Sequence, residues 1–346
     1  HALSSTVIMS ACWLVHNAAG AGGGLSLVGG ASTIKRSTVL SNTASAEGGG
    51  LHALGASAVL LDSTIEGNSA MIGGGLYVES GQARIIENRI SSNTATLAGG
   101  GLALVDNQSS LRSNSIAQNR AAIGGGVYLA GDDGMLANNI IVENRAEEAG
   151  SGLAIRASSP HLVHTTLARN RGGDGCGVAV LPSSLDQPSS MAMTNTILVS
   201  HTVALSVASG STVTLDATVW GAGTWANDTD WSGAGIIVTG PVNIWDRPVF
   251  VRPDDGDYHL SAGSAGVDDG VNAGVYADID GQGRPHESGF DMGADEFYEV
   301  FTTHLPLVTR NFSKTLSIPN LLILDKDGVT KDWDWLVATF GAVEIV

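Results

Sequence analysis

The chain has 346 residues, 46 of them Gly, with 43% hydrophobic, 5% aromatic and 15% charged residues and a formal net charge of −17. Glycine without a Gly-X-Y period excludes collagen, and the acidic balance argues against nucleic-acid phosphates or an anionic membrane surface as partners. No apolar run approaches the ~18 residues of a membrane span, and many turns with few charges point to an all-β repeat architecture.

The chain opens on His1 without a signal peptide, which reads as a processed form or an excised part of something longer. From there a glycine triplet or its variant starts at Gly22, Gly48, Gly73, Gly99, Gly124, Gly150 and Gly175. An asparagine recurs in phase at Asn17, Asn42, Asn68, Asn93, Asn119, Asn144 and Asn170, always 25 or 26 residues on. Three residues before each Asn stand Leu14, Val39, Ile65, Ile90, Ile116, Ile141 and Leu167. Three after each first Gly stand Leu25, Leu51, Leu76, Leu102, Val127, Leu153 and Val178. Apolar positions within a segment differ by two, the β period, and no helical period fits. Each unit therefore holds two or three short strands that cannot bury an inner face alone. Stacking like rungs over one another makes one continuous core, and the reading is a right-handed parallel β-helix of about eight to ten rungs.

The same stacking predicts polar ladders. The Asn column should bond amide to amide from rung to rung, and Gly is required where the repeated turn needs φ > 0. Five residues before each Asn lie Cys12, Ser37, Ser63, Asn88, Asn114, Asn139 and Thr165, an inward column read as a second ladder. Cys12 and Cys176 fall six rungs apart, roughly 29 Å at ~4.8 Å per rung, too far for a disulfide. Both read as small buried side chains.

The GGGL step followed by [ILV]-x-x-N resembles the repeats of polymorphic outer-membrane proteins and related surface β-helices of the pectin-lyase-like superfamily. The resemblance covers residues 1–200, the regular repeats, and implies fold more than function, because that superfamily mixes lyases, hydrolases, adhesins and fibres. It implies a bacterial exported protein at the cell surface or outside the cell.

After Val180 the period breaks at an inserted loop, residues 181–191, and a rung resumes at Asn195–Leu198, with His201 near the ladder position. Residues 201–256 read as irregular rungs, and their cluster of Trp220, Trp225, Trp231 and Trp245 reads as packing at the end of the stack. Residues 257–300 resemble the segment that closes exported bacterial surface β-helix proteins, in Tyr258-His259-Leu260, Asp280-Gly281, Arg284-Pro285 and Asp291-Met292-Gly293-Ala294. Its expected job is to cap the last rung. Asp278, Asp280, Asp291 and Asp295 form the candidate Ca²⁺ set, competing with salt bridges to Arg284 or solvated turns. Residues 301–346 read as a tail with strand-forming stretches, in which Leu321, Leu322, Ile323, Leu324, Leu336, Val337, Phe340, Val343 and Ile345 are the self-assembly candidates. Asp325–Gly328 lacks the spacing of an EF-hand loop.

A catalytic β-helix needs several carboxylates on neighbouring rungs in one outward column. The outward columns Trp13, Thr38, Thr64, Arg89, Ser115, Ile140, Thr166 and His16, Ser41, Gly67, Ser92, Gln118, Glu143, Arg169 concentrate none. His161 and His164 read as surface residues, and Asp132-Asp133, Glu147-Glu148 and Asp254-Asp255 as turn carboxylates. Asn107, Asn227 and Asn311 sit in glycosylation acceptor triplets. No catalytic residue and no cofactor beyond Ca²⁺ is assigned. The functional expectation is a non-catalytic extracellular structural or adhesive protein, its partner a cell-surface polysaccharide or a second copy joined head to tail through the tail and an open first rung. The alternative is a carbohydrate-active enzyme, a polysaccharide lyase or glycoside hydrolase.

Overall fold

The computed structural model describes residues 1–182 and 187–299, with the backbone of 323–324 and 330–331. The chain divides into two compact units, His1–Tyr298 and Glu299–Val346. In the second, Ile323–Leu324 pairs antiparallel with Thr330–Lys331. The other seven self-assembly candidates, Leu321, Leu322, Leu336, Val337, Phe340, Val343 and Ile345, lie outside the described residues, as does Asn311.

The first unit is a parallel β-helix. One sheet stacks ten parallel strands, from Ala2–Leu3 and Leu25–Val28 through Leu102–Val105 to Val203–Val207 and Thr229–Gly233. A second sheet carries two short strands per rung, such as Ser57–Leu61 and Thr64–Glu66, and a third holds six strands from Ala18–Ala19 to Arg145–Ala149. Register follows the sequence period: Leu51 pairs with Leu76, Leu76 with Leu102, and Leu102 with Val127. The apolar columns lie on the axis, and Val39, Ile65, Ile90, Ile116, Ile141 and Leu167 are fully buried. Burying one such side chain contributes about 1.5–3 kcal/mol, and here each also packs on its own kind above and below.

The Asn ladder has the expected form. Asn93 donates from both its backbone N–H and its Nδ2 to Asn119 Oδ1, at 2.9 and 3.0 Å, while its Nδ2 also reaches the Ile65 carbonyl at 2.9 Å. The same set repeats from Asn42 to Asn144. His201 continues the column: Asn170 Nδ2 lies 3.3 Å from its Nε2, and Asn227 Oδ1 accepts its backbone N–H at 3.0 Å. The second ladder runs from Cys12 through Ser37, Ser63, Asn88 and Asn114 to Asn139, each backbone N–H donating to the next side-chain oxygen. A third ladder, not read from the sequence, links Asp132, Ser158, Ser189 and Ser211. Asn107 opens this corner column, buried, its Nδ2 donating to the Val78 and Val105 carbonyls. Its glycosylation triplet is therefore closed by burial. Asp132, read as a turn carboxylate, bonds the Gly134 N–H two residues on and is also fully buried.

Gly48 shows why the turn is fixed. Its φ is +64°, and a Cβ there would collide with the Leu51 carbonyl. Corners on either side of the second strand of each rung in the second sheet also adopt left-handed backbone, but with side chains: Asp62, Glu87, Ser113, Asn138 and His164 before it, Ser92, Gln118, Glu143 and Arg169 after it. Such residues project outward at each corner and are free to serve other contacts.

Cys176 is buried and Cys12 partly exposed, and both are free thiols. Trp220 is fully buried with its ring edge-on to Trp231, and Trp225 packs edge-on to Phe250 and Tyr258. Trp231 and Trp245 remain partly exposed, so only part of the tryptophan cluster is core.

Candidate functional site

Residues 257–299, expected to cap the last rung, instead lie along a flank of the stack. Phe250–Arg252 and Asp257–Leu260 form an antiparallel pair. Phe250, Tyr258, Leu260, Met292 and Ala294 then cover the outward faces of Ile140, Val142, Ala168, Ile197 and Val199. The left-handed corner residues provide the polar attachment. Asn138 Nδ2 donates to the Ala277 carbonyl at 2.5 Å. Asn195 Nδ2 donates to the Val271 carbonyl, and Asn195 Oδ1 accepts the Val271 N–H. His164 Nδ1 donates to the Asp291 carbonyl at 3.0 Å, while its Nε2 accepts from Asn195 Nδ2 at 3.0 Å.

This corrects the reading of His161 and His164 as surface residues. His164 is fully buried, and burial first and Arg284 second push its pKa down to about 3, so it stays neutral. His161 is half-buried, with Nε2 3.2 Å from Thr194 Oγ1, and burial lowers its pKa. What was not visible is that a segment more than a hundred residues away covers His164.

The four candidate Ca²⁺ ligands do not converge. Asp278 accepts the N–H groups of Asp280, Gln282 and Glu296. Asp291 accepts those of Asp268 and Phe297. Both carboxylates thus order turns of their own chain. Arg284 forms an ion pair with none of the four carboxylates. It forms a fully buried pair with Glu296 at 2.7 Å and donates to the Gly293 and Asp291 carbonyls. Asp280 and Asp295 meet at His259, and the three offer ligand atoms within 4.8 Å of one another. Asp257 holds His259 Nδ1 at 2.7 Å and Asp280 lies 3.1 Å from Nε2. The neighbouring carboxylates, Asp280 foremost, push the His259 pKa up to about 10, against burial. Burial pushes the Asp295 carboxyl up to about 7. A protonated His259 supplies positive charge beside Asp280 and Asp295, the two of the four candidates that lie together.

A second feature lies at the adjoining corner. Glu143, Asn144, Arg145, Arg169 and Arg171 line a cleft of about 340 Å³. Glu143 and Arg169 come from the left-handed corner column, and Arg145 and Arg171 from the position that follows the Asn ladder. Glu143 accepts from the Tyr258 hydroxyl at 2.9 Å and from Gln118 Nε2 at 3.0 Å. Arg169 is fixed by Asp254 at 2.7 Å and by the Trp225 ring, 4.5 Å below its guanidinium. The arginines of this cleft were not singled out from the sequence, yet the signal was there: the residue after the ladder Asn is Arg at 120, 145 and 171.

These ladders and sheets define the class, a right-handed parallel β-helix protein. Residues 49–220 match the family model described as a right handed beta helix region. The chain is similar to the crystal structure of a pectate lyase, Pel9A, with 12% identity over 78% of this chain and 79% of that one at a TM-score of 0.36. No curated protein matches. Among the described residues no helix is long and apolar enough to cross a membrane.

Proposed function

We propose that this chain is a non-catalytic structural or adhesive β-helix that works outside the cell or at its surface, as a scaffold presenting exposed outer columns. One observation carries the reading. Asp278, Asp291 and Glu296, the buried carboxylates at the heart of the C-terminal segment, are all acceptors for their own backbone or for Arg284. A polysaccharide bound to the solenoid fits the adhesive form of the reading. The filament form has two copies joined head to tail through residues 301–346.

A second reading, a carbohydrate-active enzyme, draws on the cleft, where Glu143, Tyr258 and Arg169 stand together. The test separates the readings. The full chain is incubated with polygalacturonate and with a sulfated polysaccharide, and chain length and co-sedimentation are measured. Co-sedimentation without shortening supports adhesion. Shortening that Glu143→Gln abolishes overturns it in favour of an enzyme. Electron microscopy of the same samples decides the filament form, which requires fibres that vanish when residues 301–346 are removed.

A further inference from the structure

The arginine cleft has a charge arrangement that the fold does not require. Thr94, Arg120, Arg145 and Arg171 occupy one outward column on consecutive rungs. Stacked at ~4.8 Å, like charges repel, and the ladders and core would stand unchanged with hydroxyl residues there, as they do at Thr43 and Ser69. Arg120 is neutralised by an ion pair with Glu147. Arg145 and Arg171 are exposed and have no carboxylate partner among the described residues. Arg169 sits at the same cleft, half-buried and held by Asp254 and Trp225. The cleft's own carboxylate, Glu143, is engaged by Tyr258 and Gln118.

We infer that this cleft binds a tetrahedral oxyanion, a sulfate or phosphate ester borne on a glycan; the glycan part rests on the adhesive reading. Guanidinium groups present planar forks of donors that match oxyanions in pairs of hydrogen bonds. A planar carboxylate offers two oxygens, enough for one fork. Arginines arriving from three chain positions need an acceptor with three free oxygens at different angles, which a sulfate or phosphate ester provides. Arg169 is held in place before any ligand arrives, so little ordering is needed on its side. The rung repeat places Arg120, Arg145 and Arg171 along the stack axis, so an anionic polymer lying along that axis meets several arginines in turn.

The test is calorimetric titration of the full chain with sodium sulfate, sodium phosphate and sodium acetate. Arg145→Gln, Arg171→Gln and their double variant follow, with Arg84→Gln, an exposed arginine outside the cleft, as control. Sulfate or phosphate should bind saturably, acetate about tenfold or more weakly, and each cleft variant should lose about tenfold, because a charged hydrogen-bond pair is removed. Arg84→Gln should bind as the parent does. Equal binding by parent and double variant, or acetate bound as well as sulfate, overturns the site. Dextran sulfate and a phosphomannan, compared with neutral dextran, then tell the two esters apart. If the inorganic ions bind through Arg145 and Arg171 while neither polymer does, the glycan assignment and the adhesive reading fail and the anion site stands.

Discussion

The rung stack and the flanking C-terminal segment satisfy their buried polar groups in different ways. In the stack the partner of every ladder residue is its own equivalent one rung on, as with Asn68 and Asn93 or Asn119 and Asn144. In the flank each contact is singular: Tyr258 with Glu143, His164 with Asp291, Asn195 with Val271. A repeated solution spreads stability over many weak, similar interfaces. A singular one concentrates it in a few buried groups, and the Arg284–Glu296 pair is the extreme case, with both side chains fully buried.

The largest expected effect follows from that pair. Arg284→Met leaves Glu296 as a buried carboxylate without its cation, a change that costs about 3–5 kcal/mol. The loss should be local. Hydrogen exchange should speed up across residues 257–299 while the Asn ladder between Asn42 and Asn144 keeps its protection. Equal loss in both regions would show that flank and stack unfold as one unit and would remove the distinction.

A smaller effect lies where the ladder borrows a histidine. His201 is fully buried, and burial pushes its pKa down to about 4, with Asn227 opposing. A neutral ring donates from Nδ1 to Asn227 and accepts at Nε2 from Asn170. Above pH 6.5 both folded and unfolded chains carry it neutral. As pH falls below 6.5 the unfolded chain takes up the proton first, so stability is lost progressively until about pH 4. His201→Asn restores the residue type of the column and removes that dependence. The variant should gain on its parent by up to about 3 kcal/mol between pH 6.5 and 4. Asp291 and Asp295, whose pKa values burial raises to about 7, act with the opposite sign but are common to both chains, so they drop out of the difference. A difference that stays flat with pH would mean that His201 titrates normally.

The contrast also explains what could be read from sequence. The apolar columns, the Asn ladder and the place of His201 were legible because a parallel stack prints its register as a fixed offset. The third ladder was not, since Asn107, Asp132, Ser158, Ser189 and Ser211 differ in type and their spacing is upset by the loop after Val180. His164 was misread because its column is exposed at other rungs, as at Glu87, and only the flank covers it here. For the acidic quartet, sequence proximity said little. Successive turns send Asp278 and Asp291 to their own backbone and only Asp280 and Asp295 to His259.

The smallest effect tests whether a ladder can be completed by one atom. Asp132 Oδ1 accepts the N–H groups of Gly134 at 2.7 Å and Ser109 at 3.3 Å, but Oδ2 has no partner. One rung earlier Asn107 uses the matching atom, Nδ2, to donate to the carbonyls of Val78 and Val105. The equivalent carbonyls around Asp132 belong to Leu104 and Ala130, by the register that pairs Val78 with Leu104. An oxygen facing two carbonyl oxygens is unsatisfied, and an amide there becomes a donor to both. Asp132→Asn should therefore stabilise the stack by about 1–3 kcal/mol and raise Tm by about 2 °C or more. A Tm that stays level or falls would mean that the Leu104 and Ala130 carbonyls are out of reach of the new amide, and that the register does not carry the Asn107 geometry to the next rung.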